Sequence, residues 1–423
     1  MVATPTPQPH AVQAWRQWIE PWYLVYALLG AVAAGLIPVL LPLIASKDGS
    51  AAQVGLVVAA VSLGGLTAPA WGSLADRYRL HRWLLVGGLL IITASLAGIA
   101  LTTNPAIRFV FALLEGAGAA GASTVANLFV VEAHPKQEWD ERIGWLQTFY
   151  GIGQVAGLLL AGLLSQPGLQ IAVLVTAGLS AAASILAWLT AHTPPAPIDA
   201  AKPLLVHPAV HGEWTSSSPQ RMFHHLDLQA WKKLGGFLRS PFGLFLLVWV
   251  LTFAGPAAVF SQFPVLMQKE FGVNPALSST AFAIAAGIGL ALYSPAGTWS
   301  RRFGTMRVLR ISWVIRLVAA LFLFGLGYTR NPISGWLALL AFALIVLAWS
   351  AISVAGTTLA AQLSSTGEGE GLGIFNAATA LAGVLGAVLG GWAVGIWGYN
   401  SLAFLGAAGV ALGQLIMLFK SEF

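Results

Sequence analysis

Twelve apolar stretches, each long enough to cross a lipid bilayer, constrain the fold of this 423-residue chain more than any other feature. A transmembrane helix needs about 20 apolar residues to cross a hydrocarbon core of roughly 30 Å. Stretches of that length lie at 22–45, 52–71, 83–102, 106–131, 144–165, 170–190, 241–267, 276–298, 308–328, 333–360, 371–395 and 398–419. Strands of a β-barrel would be about ten residues long and would alternate polar with apolar residues, so these stretches predict helices.

Composition places the chain in lipid rather than in water. Hydrophobic residues make up 57% of the chain and charged residues only 9%, against roughly 25% charged residues in soluble domains. The net charge of +6 is spread in short groups between the apolar stretches, which favours membrane lipid as a partner and argues against nucleic acid. Cysteine is absent and the eight histidines lack the spacing of metal ligands, so we expect no metal site and no cofactor.

Lysine and arginine predict the orientation of the chain. With the N-terminus in the cytoplasm, the inner segments hold 16 of the 21 Lys and Arg residues and the outer segments hold four. Because positive charge accumulates on the cytoplasmic side, we expect a multi-pass protein of the cytoplasmic (inner) membrane with both termini inside. The spacing of apolar residues over 222–238 is typical of an amphipathic helix. We therefore expect a tail at 1–21, a six-helix bundle at 22–191, a cytoplasmic loop with this amphipathic helix at 192–240, and a second bundle with a short tail at 241–423.

The two halves of the chain carry repeated patterns. The segment 72–79 recurs 225 positions later as 297–304, and the segment 144–147 recurs 229 positions later as 373–376. Both offsets correspond to six spans. Because six is even, both halves enter the membrane in the same direction, which predicts two co-oriented bundles related by a pseudo-twofold axis along the membrane normal.

One repeated segment points to a family. The sequence Gly72-Ser-Leu-Ala-Asp76-Arg77 resembles the signature G-x-L-A-D-R-x-G-R-[KR] of the major facilitator superfamily, which lies between its second and third helices. Arg79 stands in the place of the second glycine of this signature. The degenerate copy at 297–304 lies where that family has its second copy. The resemblance implies an all-α membrane protein, with twelve helices in two six-helix bundles, that works as a monomer and carries a small-molecule solute by rocking one bundle against the other.

The resemblance also implies a gate at the charged segments between helices. Asp76 would accept hydrogen bonds from a helix start and pair with basic residues between the bundles, which would stabilise one state of the gate. The alternative is a charged loop that only sets the orientation in the membrane. Arg301 stands at the acid's position in the second copy, so the two copies are not equivalent. The gate candidates are Gly72, Asp76, Arg77, Arg82, Gly297, Arg301, Arg302 and Gly304.

Two ionisable residues lie within spans. Glu115 is the only Asp or Glu deep inside one, where a charge costs roughly 2.5–3.5 kcal/mol on insertion scales and usually faces a polar cavity. Desolvation favours the neutral form of Glu115, so proton uptake by this residue is a candidate coupling step. The alternative is that its carboxyl group only forms a hydrogen bond to a neighbouring helix and has no role in transport. Drug/proton antiporters of the family have arginine and proline where Ala112 and Gln154 stand here. The sequence therefore leaves open whether transport is coupled to protons.

Arg316 is expected to extend its side chain to the lipid headgroups.

Six residues are candidates for the wall of a solute cavity. Gln147 and Gln154 share a face of helix five, and Asn376 is the repeat mate of Gln147. Amide groups donate and accept hydrogen bonds without net charge, which suits a neutral or zwitterionic solute, whereas bonding between helices is the alternative. The other three candidates lie on helices one, seven and ten, which line the cavity in the family: Tyr26, Gln262 and Trp349.

These observations favour a secondary transporter over other membrane functions. The chain has no GxxxxGK[ST] phosphate loop, no HExxH motif and no carboxylate pair within the spans, so we predict that it is not an enzyme. Apolar spans rich in Trp, Phe and Ala favour an amphiphilic solute and hence efflux, with protons as the candidate coupling ion. Uptake of a sugar or another small metabolite is the alternative, and a channel or a non-transporting sensor is a more remote one.

Overall fold

Twelve helices in the described residues are long and apolar enough to cross a membrane, which confirms the predicted number and order of spans. The computed structural model describes residues 19–134, 138–166, 168–191, 240–329, 331, 333–364 and 368–419. The first helix, α1, comprises Tyr23–Leu29, a π-helical segment Gly30–Leu36 and Ile37–Asp48, and α2 comprises Ala51–Gly65 and Ala68–Tyr78. The others are α3 His81–Leu101, α4 Pro105–Ala133, α5 Trp139–Leu164, α6 Leu169–Thr190, α7 Pro241–Phe271, α8 Pro275–Phe303, α9 Thr305–Leu326, α10 Ser334–Leu363, α11 Glu368–Trp397 and α12 Asn400–Phe419.

Two predicted regions lie mostly outside the described residues. Residues 1–18 of the predicted tail belong to this part, and so does 192–239 of the predicted central loop. The amphipathic helix expected at 222–238 therefore stays a prediction, as do the boundaries of the four regions.

Capped Asn-Pro and Ser-Pro pairs start three of the helices. The side chains of Asn104, Ser240 and Asn274 each accept a hydrogen bond from a backbone N–H in the first turn, at 2.9, 3.1 and 2.7 Å. Each is followed by proline, which suits the first helical position because its φ is already helical and its missing N–H would have no partner there. These local signals fix where α4, α7 and α8 begin.

The helices form two bundles with matching internal contacts. In the first bundle α1 packs on α5, α2 on α4, and α3 on both α4 and α6. Six helices later, α7 packs on α11, α8 on α10, and α9 on both α10 and α12. Between the bundles, α2 packs on α11 and α5 on α8, and these two contacts are also equivalent under the repeat. The co-oriented, pseudo-twofold arrangement predicted from the repeats is thus present.

Ion pairs tie the helices of the first bundle together at both ends. We call the end that contains the α1–α2 turn the distal end, and the end at which α1 begins and α12 finishes the terminal end. At the distal end, buried Arg108 of α4 pairs with Asp48 of α1 at 2.9 Å. At the terminal end, Glu20 pairs with Arg142 of α5 at 3.1 Å, and Arg142 also pairs with Glu138 at 2.8 Å. The bundle is therefore braced at both ends.

Small residues let α1 and α5 approach closely. A Cβ atom at Gly157 of α5 would lie 2.7 Å from the Cα atom of Ala31 in α1, which is closer than real side chains allow. In lipid, where burying apolar surface gains little, such close packing is a main source of association between helices. The α1–α5 contact thus requires glycine at this position.

The equivalent helices α1 and α7 both depart from regular α-helix near prolines. The π-helical segment of α1 ends one residue before the Ile37-Pro38 pair. In α7, Gln262 has non-helical dihedral angles (φ −132°, ψ 18°) and lies between Pro256 and Pro264. Proline lacks an amide hydrogen and clashes with the carbonyl four residues earlier, which interrupts the helix. The interruption in α7 lies where the two bundles meet, because Gln262 contacts Ala51 of α2.

Replacing Gly157 with alanine should lower the thermal stability of the purified protein. The added methyl group overlaps the backbone of Ala31, and overpacking of this kind costs roughly 1–3 kcal/mol. The matched control is Gly178→Ala in α6, where a Cβ atom meets no atom within 4 Å. Thermal unfolding in detergent should show a lower melting temperature for the first variant and no loss for the second; equal melting temperatures would contradict the close approach.

Candidate solute-binding cavity

A cavity of about 390 Å³ lies between the two bundles, near the middle of the helices. The first bundle contributes α1, α2 and α5 to its wall, and the second contributes α7, α8, α10 and α11. This volume falls within the range of small-molecule pockets, roughly 300–1,000 Å³. The cavity is therefore large enough for a small organic solute.

The cavity wall is mostly aliphatic and aromatic, and no charged side chain of the described residues lines it. Five lining residues have polar side chains. Two of them, Ser261 and Ser350, donate their hydroxyl hydrogens to backbone carbonyls at 2.8 and 2.9 Å. The other three form no hydrogen bond with any described residue and remain available to a solute: Ser62, Gln154 and Tyr293.

Aromatic rings form one side of the cavity. Trp349 of α10 packs against Phe253 of α7, with ring centroids 5.2 Å apart. Trp249 supports both rings from behind, and its indole nitrogen donates a hydrogen bond to the Thr379 hydroxyl at 2.9 Å. Because each ring is held by its neighbours, this side presents a preformed apolar surface.

The bundles are sealed together at the distal end. The Gln262 side chain of α7 donates a hydrogen bond to the Ala51 carbonyl at the start of α2, at 3.3 Å. The Ser279 hydroxyl of α8 donates to the Leu158 carbonyl of α5. A Cβ atom at Gly55 would lie 2.9 Å from a Cα atom of α11, so the two backbones touch there. We call these three contacts the distal seal.

The bundles separate towards the terminal end. The first segment of α2 packs on α11, whereas its second segment, Ala68–Tyr78, packs on α4 of its own bundle. Gln147 and Asn376 are exposed, and a Cβ atom at Gly144 or Gly297 would meet no atom within 4 Å. The cavity is thus closed at its distal end, and the bundles are apart on its terminal side.

The structure divides five of the six predicted cavity residues between three places. Gln154 and Trp349 line the cavity. Gln262 is fully buried and belongs to the distal seal. Gln147 and Asn376 are exposed on the terminal side and lie outside the cavity wall.

Tyr26 and Glu115 lie one layer behind the wall, in the first bundle. Glu115 is 1% exposed, and neither carboxyl oxygen has a hydrogen-bond partner among the described residues. It is close enough to Tyr150 for an electrostatic interaction, and the Tyr150 ring lies 5.0 Å from the ring of Tyr26. Tyr26 in turn shares a hydrogen bond with Ser123 at 2.9 Å. Glu115 does not line the cavity. The reason is that α2 packs directly on α4 at Gly116.

Two of the wall residues with available polar side chains were not predicted from the sequence. Ser62 of α2 and Tyr293 of α8 carry no local signal, since single hydroxyl and aromatic residues occur throughout the spans. Only the rotation of each helix within its bundle points these side chains into the cavity. That rotation follows from packing and not from the residues themselves.

The candidate gate residues lie at the terminal end, where the bundles are apart. Arg79 ends α2 in the left-handed conformation (φ 51°, ψ 36°), at the position where the resembled signature has glycine. Arg82 stacks on Trp188 of α6 and donates a hydrogen bond to its carbonyl, so it is tied within the first bundle. Gly72 and Gly297 lie within α2 and α8, exposed Arg301 and Arg302 lie in the last turn of α8, and Gly304 ends it at φ 90°. The side chains of Asp76 and Arg77 lie outside the described part, so the gate stays a prediction.

Arg316 departs from the sequence prediction. It is 1% exposed and donates a hydrogen bond to the Ile345 carbonyl of α10 at 3.2 Å, so the expected extension to the headgroups is wrong. Its position explains the difference. Arg316 lies in the middle of α9, about 16 Å from either end of the helix at a rise of 1.5 Å per residue, which is too far for its side chain to reach.

Two co-oriented six-helix bundles around a central cavity define a membrane transporter fold. The sequence of residues 22–368 matches the family model of the Major Facilitator Superfamily, and the chain belongs to this family. It is accordingly an integral, multi-pass transporter of a small-molecule solute. No curated protein sequence matches the chain.

Solved transporter structures share this fold at low sequence identity. The nucleoside transporter NupG superposes with a TM-score of 0.73 at 16% identity, covering 95% of this chain and 99% of NupG. The xylose transporter XylE from E. coli, in a partially occluded inward-open conformation, gives 0.67 at 16% identity over 95% and 99% of the two chains. A bacterial homolog of the human lysosomal transporter Spinster, inward-facing and occupied, gives 0.64 at 16% identity over 98% and 95%.

Removing the Gln262 amide should weaken the distal seal. The chain has no cysteine, so Ser62→Cys in the cavity wall supplies a single reactive thiol. A membrane-impermeant maleimide, added separately to each face of the membrane, should label it readily from the terminal face and slowly from the distal face. Because one hydrogen bond is worth about 0.5–1.5 kcal/mol, Gln262→Ala should raise the distal labelling rate by roughly two- to tenfold.

The control for this experiment is Gln268→Ala, which removes an exposed amide from the same end of α7. Its distal labelling rate should equal that of Ser62→Cys alone. Distal labelling that Gln262→Ala leaves unchanged would show that the amide does not hold the bundles together.

Proposed function

We propose that this transporter exports a mainly apolar, amphiphilic solute by alternating access. The observation that carries the proposal is the cavity wall, which has no charged side chain among the described residues and three available polar ones. For a solute taken from water, burying apolar surface there gains about 25 cal/mol per Å². A sugar would lose hydrogen bonds to water from several hydroxyl groups, which three side chains do not replace, and each unreplaced bond costs roughly 1–3 kcal/mol.

The charge distribution predicts which end of the cavity faces the cytoplasm. Sixteen of the 21 Lys and Arg residues belong to the tails and to the connections between spans on the terminal side. Four belong to the connections on the distal side. The positive-inside rule then assigns the terminal end to the cytoplasm. In that orientation the bundles are apart on the side of the cytoplasm and the inner leaflet, from which an amphiphilic solute would enter the cavity.

Export would require the two ends of the molecule to exchange states. The hydrogen bonds from Gln262 to Ala51 and from Ser279 to Leu158 would break, which opens the cavity distally. The charged segments at the ends of α2 and α8, 72–79 and 297–304, would approach each other and close the terminal end. Because the contacts between the bundles are related by the repeat, rocking about the cavity accomplishes both changes.

Glu115 is the proposed site of proton coupling. It is the only buried acid among the described residues, and Tyr150 and Tyr26 lie between α4 and the two cavity helices α5 and α1. A carboxyl group buried without a hydrogen-bond partner is far more costly when charged than when neutral. Rearrangement of the first bundle that admits water to Glu115 would therefore change its protonation, which links the conformational change to a proton gradient.

Uptake of a nucleoside or a sugar is a second candidate. The packed rings of Trp349 and Phe253 and the available amide of Gln154 lie in one cavity, a combination that also suits a flat base or a sugar ring. NupG and XylE, which have the same fold, are transporters of a nucleoside and of xylose.

Replacing Trp349 with alanine should weaken binding of a neutral dansyl amide that carries an alkyl tail. Loss of the indole removes a large apolar contact, and we expect the Kd to rise by about tenfold, equal to ~1.4 kcal/mol. The matched control is Trp336→Ala on the same helix, an exposed tryptophan outside the cavity wall. Fluorescence titration in non-ionic detergent measures both.

Competition by xylose or uridine separates the two candidate functions. Neither polar compound should displace the dansyl amide from the wild-type protein at concentrations that saturate transporters of such compounds. Saturable uptake of xylose or uridine into proteoliposomes, without binding of the dansyl amide, would overturn the amphiphile proposal in favour of the second candidate.

Replacing Glu115 with glutamine should abolish accumulation driven by a pH gradient and leave solute exchange intact. Glutamine has the same shape but carries no titratable proton, so the conformational cycle continues without coupling. Proteoliposomes loaded with the dansyl amide, with and without a pH gradient, measure both activities. Glu270→Gln, a partly exposed acid at the distal end of α7, is the control. Undiminished accumulation in Glu115→Gln would remove the coupling role.

A further inference from the structure

Arg316 places a buried cation directly behind the cavity wall. Its guanidinium carbon lies 5.6 Å from the ring centroid of Trp349, and the guanidinium donates a hydrogen bond to the Ile345 carbonyl at 3.2 Å. The residues that follow Ile345 on α10, Val346, Trp349 and Ser350, form part of the cavity wall. One indole ring therefore contacts both the solute space and the charge.

No acidic side chain among the described residues neutralises this cation. Arg316 forms no ion pair there, and its Nε atom has no hydrogen-bond partner. The other buried arginine, Arg108, differs because it pairs with Asp48 at the distal end. An arginine side chain stays protonated in proteins, so the charge behind Trp349 is permanent.

The charge acts on the cavity through a poorly polarisable wall. Salt screens a buried charge much less than a charge in solvent, and the indole ring of Trp349, which lines the cavity, lies against Arg316. The π-electrons of Trp349 already face the guanidinium, so a cationic solute gains less from this ring and is repelled by the charge behind it. An anionic headgroup is attracted instead.

We propose that Arg316 is a selectivity-determining residue that makes the cavity prefer anionic amphiphiles to cationic amphiphiles of the same shape. The inference rests on the proposed function and specifies its substrate class. Glu115, the other unpaired buried charge-bearing group of the described chain, lies in the opposite bundle and contributes no opposing charge in its protonated form. For an anionic group ~10 Å from the guanidinium in a medium of effective dielectric constant ~20, the attraction corresponds to a preference of about tenfold or more.

The test uses three dansyl probes with the same alkyl tail and a side arm that ends in a carboxylate, a neutral amide or a quaternary ammonium group. Binding to the purified full-length protein is measured in non-ionic detergent, with protein-free micelles as the blank. We expect the wild-type protein to bind the carboxylate probe about tenfold more tightly than the ammonium probe. Arg316→Met should bring this ratio close to one, and Arg316→Lys, which keeps the charge, should preserve most of it.

Arg307→Met is the matched control, because Arg307 is an exposed arginine on the same helix. It changes the net charge by the same amount and should leave the ratio unchanged. Thermal unfolding and size-exclusion chromatography establish whether each variant is folded. If Arg316→Met does not fold, the ranking of the probes by the wild-type protein and the ratio for Arg316→Gln still test the inference.

Distinct outcomes separate this inference from the function on which it rests. If the protein binds the neutral amide probe and binds the two charged probes with equal affinity, the selectivity role is overturned and the amphiphile proposal stands. The selectivity role would also be overturned if the wild-type protein preferred the ammonium probe. The same holds if a folded Arg316→Met variant kept the wild-type ratio of affinities for the carboxylate and ammonium probes. Failure of all three probes to bind would overturn the proposed function and this inference together.

Discussion

The structure depends on one constraint, which is that hydrocarbon offers no water to satisfy the polar groups of the peptide backbone. Each span must therefore bond its own N–H and C=O groups, and only helices do so within a single segment. Between such helices the hydrophobic effect contributes little, so close backbone approach holds them together, as at Gly157 against Ala31 and Gly116 against α2. The bundles are consequently tight inside, whereas the boundary between them has few polar contacts, among them those of Gln262 and Ser279.

The same constraint gives meaning to the charges that remain inside. Arg108 is paired with Asp48 near the distal end, where its function is to join α4 to α1. Glu115 and Arg316 have no ionic partner among the described residues, and each lies one layer behind the cavity wall, one in each bundle. A carboxyl group can release and take up a proton, whereas a guanidinium group stays protonated. The proposed coupling role of Glu115 and the proposed selectivity role of Arg316 follow from this chemical difference, while the wall itself stays apolar and suits an amphiphilic solute.

Prediction from the sequence succeeded for the spans, whereas it placed only two of six cavity candidates in the wall. The first span was expected at 22–45 and extends over Tyr23–Asp48, because apolar length is a local property that no distant contact changes. Gln154 and Trp349 line the cavity, but Tyr26 and Gln262, also on the helices expected to line it, lie behind the wall and in the distal seal. A rotation of about one residue, 100° for an α-helix, moves a side chain from the cavity to a helix contact, and the sequence of one helix does not determine it.

The sequence by itself determined that the chain dissolves in lipid, that it crosses the membrane twelve times, and that its halves are co-oriented repeats. These properties follow from sums along the chain, namely apolar length, charge distribution and repeat offset. Only the tertiary structure decided which side chains meet in the cavity, which end is sealed, and that Arg316 lies behind Trp349 rather than at the headgroups. Those properties depend on contacts between residues far apart in the chain, such as Gln262 with Ala51, and packing of the whole bundle sets them.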